Sequence, residues 1–343
     1  MGSEQAPFDV EAQTFFLTLA GSHAHGTARA DSDVDLRGVT RAPLQVRLSL
    51  FRHFEQVECE VDRVAWKRPW WRTVLGRLQA HPTAHVAAST KVESVVFEVA
   101  KFLRLCAESN PNALEILFAD ERDWVFDTPL WRVIHAARGE FLTRKVQQTY
   151  LGYGLSQLKR IKTHRAWLLE PPRGKPSRPD FGLPEQGTFG ADDRARLTAL
   201  IESGTEGERA LPSEVVAILD AEKRYLGALK HWHAYQTWLK ERNPARAELE
   251  RRYGYDTKHA AHLVRLMRMG LEVLRDSELR VRRPDAEELG RIREGALTYD
   301  ALIEHANLLE AEMRAALPAS PLPEDVDRDR VDALLANVLE LGE

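Results

Sequence analysis

Between Phe15 and Thr40 two short apolar runs enclose a loop, and the second run begins on carboxylates at alternate positions. Phe15 to Ala20 (Phe-Phe-Leu-Thr-Leu-Ala) stops at Gly21, as a buried strand does. Val34 to Thr40 alternates, with Val34, Leu36 and, after the interruption at Gly38, Val39 set against Asp35 and Arg37 on the other face. Alternate side chains of a strand share a face, so Asp33 and Asp35 stand side by side with Val34 anchored beneath them. The loop joining the runs is Gly21 to Asp33, and this first third of the chain reads as α/β.

A further strand is expected from Val92 to Phe97, feeding a helix whose Val99, Phe102, Leu103 and Cys106 share one face. Asn110-Pro111 breaks the chain by favouring a turn, and a helical piece follows from Ala113 to Phe118. From about Leu130 the pattern is helical, except from Leu169 to Asp193. There Pro171, Pro172, Pro176, Pro179 and Pro184 stand among glycines, which forbids a regular ladder and reads as a mobile loop. Helices are expected over Val215 to Glu241, Lys258 to Leu274, Tyr299 to Leu317 and Asp327 to Leu341. The organisation is therefore an α/β domain over residues 1–128, then a helical domain over 129–343 with the Pro-rich loop at about 169–193.

At 343 residues there is chain enough for two domains, each with its own core, and 43% hydrophobic with 29% charged residues is ordinary for a globular protein. No apolar run is long enough to cross a bilayer and Met1 to Pro7 does not read as a signal peptide, so a cytoplasmic protein with no membrane partner is expected. Cys59 and Cys106 lack metal-ligand spacing and read as reduced thiols. A net charge of −4 supplies no global attraction for nucleic acid, although it averages over local patches.

The chemistry concentrates at Gly21-Ser22 and Asp33-Val34-Asp35-Leu36, with ten residues between Ser22 and Asp33. Two adjacent carboxylates repel unless cations lie between them, and Mg²⁺ suits them because it takes hard oxygen ligands from one or two carboxylates plus substrate phosphates. Two such ions, sharing Asp33 and Asp35, activate an attacking hydroxyl and neutralise a triphosphate in an in-line displacement. Gly21 lets backbone approach a phosphate without a Cβ, and Ser22 adds a hydroxyl donor. Ser32 reads equally as a nucleotide contact or as a turn hydroxyl. A third carboxylate from a neighbouring strand completes such a site; Glu93 is the first choice, with Glu98, Glu58, Glu60 and Asp62 as rivals.

Other residues divide between site and scaffold. Lys258 stands at a helix start, where a cation is unfavourable with the dipole, and reads equally as a substrate contact or as a solvated lysine. Asp256, His259 and His262 share a face but lack a fourth metal ligand. Lys101 and Arg104 share a helix face that either binds the triphosphate or is simply solvated. Trp70 and Trp71, beside Arg68 and Arg72, read as core packing before a nucleic-acid surface. His23 and His25 flank the phosphate loop. Gly174-Lys175-Pro176 lacks the glycine spacing of a Walker loop.

The motif running from Gly21-Ser22-His23-Ala24-His25-Gly26-Thr27 through Ser32-Asp33-Val34-Asp35-Leu36-Arg37-Gly38 resembles the DNA polymerase β nucleotidyltransferase superfamily. Within it the chain resembles the bacterial and phage RNA-repair-pathway nucleotidyltransferases called RlaP-like. That closer likeness rests on Lys101-Phe102-Leu103-Arg104-Leu105, on Asn110 to Phe118, and on Tyr255 to Arg265. Glu278 to Pro284 and Ser320 to Pro323 extend it. The resemblance implies a polymerase-β-type domain of small mixed sheet and helices. It also implies Mg²⁺ or Mn²⁺, a nucleoside triphosphate such as ATP as donor, and an RNA 3′ end as acceptor, handled alongside RNA-repair enzymes. By position, Asp33, Asp35 and Glu93 become the catalytic metal ligands, Glu93 standing where the family usually has aspartate. Gly21, Ser22, Ser32, Lys101 and Lys258 are the expected nucleotide contacts. The competing functions are nucleotide transfer to a protein or small molecule, and a non-catalytic nucleotide- or RNA-binding module.

Overall fold

Strand β1 (Thr14–Ala20) is buried along nearly its whole length, because the sheet carries a layer on each face. This computed structural model describes residues 6–30, 32–62, 64–84, 86, 90–187, 190, 192 and 213–341. They form two units, Met1–Ile161 with Thr257–Glu343, and Lys162–Asp256. These units follow spatial packing, whereas the 128/129 boundary was read from where the helical pattern begins along the chain.

In the first unit β1, β2 (Val34–Thr40), β3 (Gln56–Glu60), β4 (Val92–Glu98) and β5 (Trp124–Asp127) make one sheet in the order β3-β4-β2-β1-β5. β2 and β4 run parallel and the remaining pairs antiparallel. The helices in chain order are α1 (Val10–Gln13), α2 (Gly21–His25), α3 (Leu44–Arg47), α4 (Pro69–Ala80), α5 (Val99–Ala107), α6 (Pro111–Leu117), α7 (Pro129–Ala136) and α8 (Lys145–Leu169). Next come α9 (Ser213–Glu241) and α10 (Pro244–Tyr253), then α11 (Thr257–Asp276), α12 (Ala286–Arg293), α13 (Tyr299–Ala316) and α14 (Arg328–Glu340).

The period-two pattern sorts the core. Leu17, Leu19, Val34, Leu36 and Val92 face α4 and meet its Trp71, Val74 and Leu78. On the opposite face Phe16 stacks on Trp131 of α7 with ring centroids 3.5 Å apart, and Phe102 of α5 packs against the same indole. Each fully buried Leu or Phe of these layers contributes about 1.5–3 kcal/mol. Trp71 is thus a core residue, its indole N–H donating to Glu11 at 2.9 Å.

The small mixed sheet with helices, followed by helices, is the architecture expected. β2 spans the residues read from its alternation, and β4 exceeds its expected span by Glu98 alone. The sequence reading misses the edge strands β3 and β5, helices α1, α3 and α4, and α2, which lies inside what was read as loop from Gly21 to Asp33. Asn110 starts α6 as its N-cap, accepting from the amides of Asn112 at 3.0 Å and Ala113 at 3.3 Å.

The second unit is built on α9, α10 and the end of α8. Trp167 donates its indole N–H to His231 at 2.8 Å and packs among His164, Tyr235 and Trp238. Of the Pro-rich segment, residues 188, 189, 191 and 193 lie outside the described residues; a 3₁₀ turn occupies Pro179–Phe181. Among the described residues no helix is long and apolar enough to cross a membrane.

Candidate active site

The site lies where β1 ends and where β2 and β4 begin. Ala20 at the end of β1 is the register partner of Asp35, and Asp35 is in turn the partner of Glu93 on β4. Partners in adjacent strands project from the same face, so the sheet brings Asp35 and Glu93 together from residues far apart in sequence. Asp33, with the same parity as Asp35, precedes β2 and is exposed. Glu60 of β3 pairs with Glu93 and extends the acidic face toward the sheet edge.

Gly21 explains the glycine of the motif. It has φ of +57°, where side chains are disfavoured, and a Cβ built there overlaps the Asp35 carboxylate. The backbone entering α2 therefore lies directly against the carboxylate, and the first amides of that turn have no intrahelical acceptor. Ser22 opens α2 beside it.

Cations offset the acidic face. Arg37 approaches Asp35 at 3.7 Å. Lys91 ion-pairs with Glu93 and lies 3.8 Å from Glu60, and the hydrogen bond to Glu93 holds its ammonium above the ordinary lysine range. Sequence reasoning missed Lys91; its place two residues before Glu93, and so on the same face, was the available signal.

The remaining expected residues separate. Ser32 accepts from the Arg29 amide at 2.9 Å, a turn contact that leaves its own O–H able to donate. Lys258, in the first turn of α11, is exposed. Its neighbour Thr257 donates to the Arg293 carbonyl at 2.7 Å, and the adjacent Glu294 binds Arg29 at 2.9 Å, so this helix start is tied to the loop that carries Ser32. Lys101 is not brought to the carboxylates: Glu93 opens β4, whereas Lys101 follows its far end and binds Glu55 at 2.7 Å, with Arg104 on the same carboxylate at 3.5 Å. Of the rivals to Glu93, Glu98 caps α5 through the Ala100 amide at 2.6 Å and Asp62 caps a turn through the amides of Val64 and Ala65.

Both histidines of α2 are buried. His23 Nδ1 lies 3.1 Å from the Thr83 carbonyl, and burial lowers its pKa although Asp35 pulls the other way. His25 Nε2 meets Glu115 at 2.9 Å, and its pKa is lowered first by burial and then by Arg265.

Among the described residues no group of three or more His, Cys, Asp or Glu is arranged as a complete metal site. The donors at the sheet end are nevertheless all hard carboxylate oxygens, with the Asp35 carboxylate lying against the Gly21 backbone. That suits a divalent cation which takes its remaining ligands from phosphate and water. A separate cleft of about 690 Å³, lined by Phe118, His135, Arg138 and Leu279 among others, includes none of these carboxylates.

A small mixed sheet with this carboxylate-bearing parallel pair and a glycine-led turn defines a nucleotidyltransferase of the DNA polymerase β type. Residues 4–168 match the model of the RlaP family, described as the RNA repair pathway DNA polymerase beta family, and over this stretch the chain is similar to it. The motifs at 255–265, 278–284 and 320–323 lie beyond the matched residues. No curated protein matches the chain. A solved nucleotidyltransferase-like protein from Exiguobacterium sibiricum 255-15 is 11% identical, with 93% of this chain and 74% of that one covered and a TM-score of 0.25. So distant a likeness carries no inference about fold or activity.

Proposed function

We propose that this nucleotidyltransferase uses a divalent metal and moves a nucleoside monophosphate from a nucleoside triphosphate to the 3′ hydroxyl of an RNA end, in concert with RNA-repair enzymes. The observation that carries the reading is the contact of the Gly21 backbone with the Asp35 carboxylate, while Glu93 stands in register with Asp35 on the next strand. The family's description supports RNA as the acceptor.

When bound, Mg²⁺ or Mn²⁺, as a pair of ions, supplies charge neutralisation on the triphosphate and a more acidic attacking hydroxyl. Asp33 and Asp35 would hold them, with Glu93 as the third carboxylate once it leaves Lys91. The chain's own part is to bind and orient. Gly21 and Ser22 present amides and a hydroxyl to the phosphates, and Arg37 holds the Asp35 carboxylate. Lys258 supplies a cation from the start of α11. In-line transfer then makes one P–O bond to the acceptor and breaks the bond to pyrophosphate, with no covalent enzyme intermediate.

The test is incubation of the full chain with Mg²⁺ or Mn²⁺ and each labelled nucleoside triphosphate, with and without a 3′-hydroxyl RNA, resolving RNA and protein separately. RNA lengthened in an Asp35-dependent manner is the expected result. Label on protein alone would replace the RNA acceptor with a protein hydroxyl, and nucleotide binding without transfer would leave a binding module.

A further inference from the structure

Four stretches that the proposed reaction leaves largely unused meet at one point. Glu115 of α6 is largely but not fully buried and accepts from His25 Nε2 at 2.9 Å and from Arg265 of α11 at 2.5 Å. The amide of Arg283 donates to the carbonyl of the same His25 at 3.2 Å. Arg283 is itself buried and fixed by Glu272 at 2.6 Å and Asp285 at 2.8 Å. His25 ends the turn that Gly21 begins. The turn is therefore gripped by its last residue, through side chain and backbone at once: Glu115, which holds the His25 ring, lies 90 positions further along the chain and is itself held by Arg265, 150 positions beyond.

A second grip reaches the other histidine. Asp123 has no exposed surface, pairs with Arg282 and lies 3.9 Å from His81. His81 Nδ1 accepts from the Thr83 amide at 3.2 Å, and the Thr83 carbonyl takes His23 Nδ1 at 3.1 Å. Successive residues Arg282 and Arg283 thus hold α2 by way of His23 and His25. A short turn with φ of +57° at its first residue has little helical stability of its own, so its geometry depends on what holds it.

Resting on the nucleotidyltransferase reading above, we infer that Glu115 and Arg265 are positioning residues which, through His25, fix the Gly21–Ser22 phosphate turn against Asp35. The helices beyond residue 256 are on this account part of the catalytic machinery. Removing one partner of a buried pair strands the other charge, whereas neutralising both at similar volume is tolerated. The informative variant is therefore Glu115→Gln with Arg265→Met, with Arg265→Lys as the conservative partner.

The double variant is expected to melt cooperatively. Its kcat/KM falls by on the order of 100-fold, with KM for the nucleoside triphosphate raised and KM for the acceptor unchanged; Arg265→Lys recovers part of the loss. Hydrogen exchange gives a readout independent of turnover. The amides of Gly26 and Thr27, which donate to the carbonyls of His23 and Ser22, lose protection in the double variant while α5 keeps its own. If the double variant does not fold, the wild-type chain still decides: these two amides are expected to be as protected as those of α11, and faster exchange would overturn the inference. Unchanged KM for the triphosphate, or unchanged protection of Gly26 and Thr27, in a folded double variant would also overturn it. A wild-type chain that transfers no nucleotide, yet shows the exchange effect, would instead refute the reaction and leave the positioning intact.

Discussion

Asp35 and Glu93 are register partners across the parallel strands β2 and β4, yet the Glu93 carboxylate is ion-paired with Lys91. The two carboxylates therefore differ in role. On the proposed reaction, Asp35 lies against the backbone that would receive the phosphates, whereas Glu93 would have to exchange Lys91 for the metal. Asp35→Asn is expected to lower kcat by roughly 10³-fold or more and Glu93→Gln by about 10²-fold, measured as initial rates at saturating nucleotide. A Glu93→Gln enzyme at wild-type rate would remove Glu93 from the reaction and send the search for the third carboxylate to Glu60.

Gly21→Ala tests the close approach directly. The added Cβ meets the Asp35 carboxylate and sits on a backbone with φ of +57°. A strained residue of this kind costs about 1–3 kcal/mol, so urea unfolding should show a loss of that size, and turnover should fall by more than the stability loss explains. Gly76, where an added Cβ meets nothing within 4 Å, supplies the matched control; Gly76→Ala is expected to be neutral or slightly stabilising, as alanine is within a helix. Equal activity in the two variants would mean that the Gly21 turn does not hold the substrate.

Metal binding separates the carboxylates from the rest of the site. Calorimetric titration of Mn²⁺ into the full chain with a non-hydrolysable nucleoside triphosphate is expected to show binding that the Asp33→Asn, Asp35→Asn variant loses. Hard cations at such sites draw ligands from phosphate as well as carboxylate, so affinity without nucleotide should be weaker. Equal Mn²⁺ affinity in wild type and double variant would place the metal elsewhere.

The strands carrying Asp35 and Glu93 were readable because their faces differ. Val34 and Leu36 are fully buried while Asp35 and Arg37 are only half-buried, and that contrast writes a period of two into the sequence. β3 (Gln56–Glu60) buries only Val57 fully, and β5 has four residues, so both edge strands lack enough apolar positions to show a period. The helix Gly21–His25 is too short for any helical pattern. The motifs around Glu115, Arg265 and Arg283 were visible, but their meeting at His25 was not, since tertiary packing alone closes separations of that length. Lys101 failed to reach the carboxylates for a related reason: a helix face predicts its neighbours on the helix, not the end of the sheet it caps.

His262 supplies a prediction in acid. Burial pushes its pKa down to about 3, Arg265 adds to the shift, and His25 and His259 act in the same direction against an opposing Glu115. The unfolded chain takes up a proton near the ordinary histidine value of about 6.5, while the folded chain refuses it until about pH 3. Stability from this residue is therefore complete above about pH 6.5 and is lost progressively as pH falls from there toward 3. Between pH 7 and pH 5 that amounts to about 1–2 kcal/mol. His262→Gln removes the titration, so urea unfolding of the variant should lose correspondingly less stability over the same interval. Parallel losses in wild type and variant would mean that His262 takes up its proton in the folded chain at an ordinary pH, and that the Arg265 cluster does not exclude it.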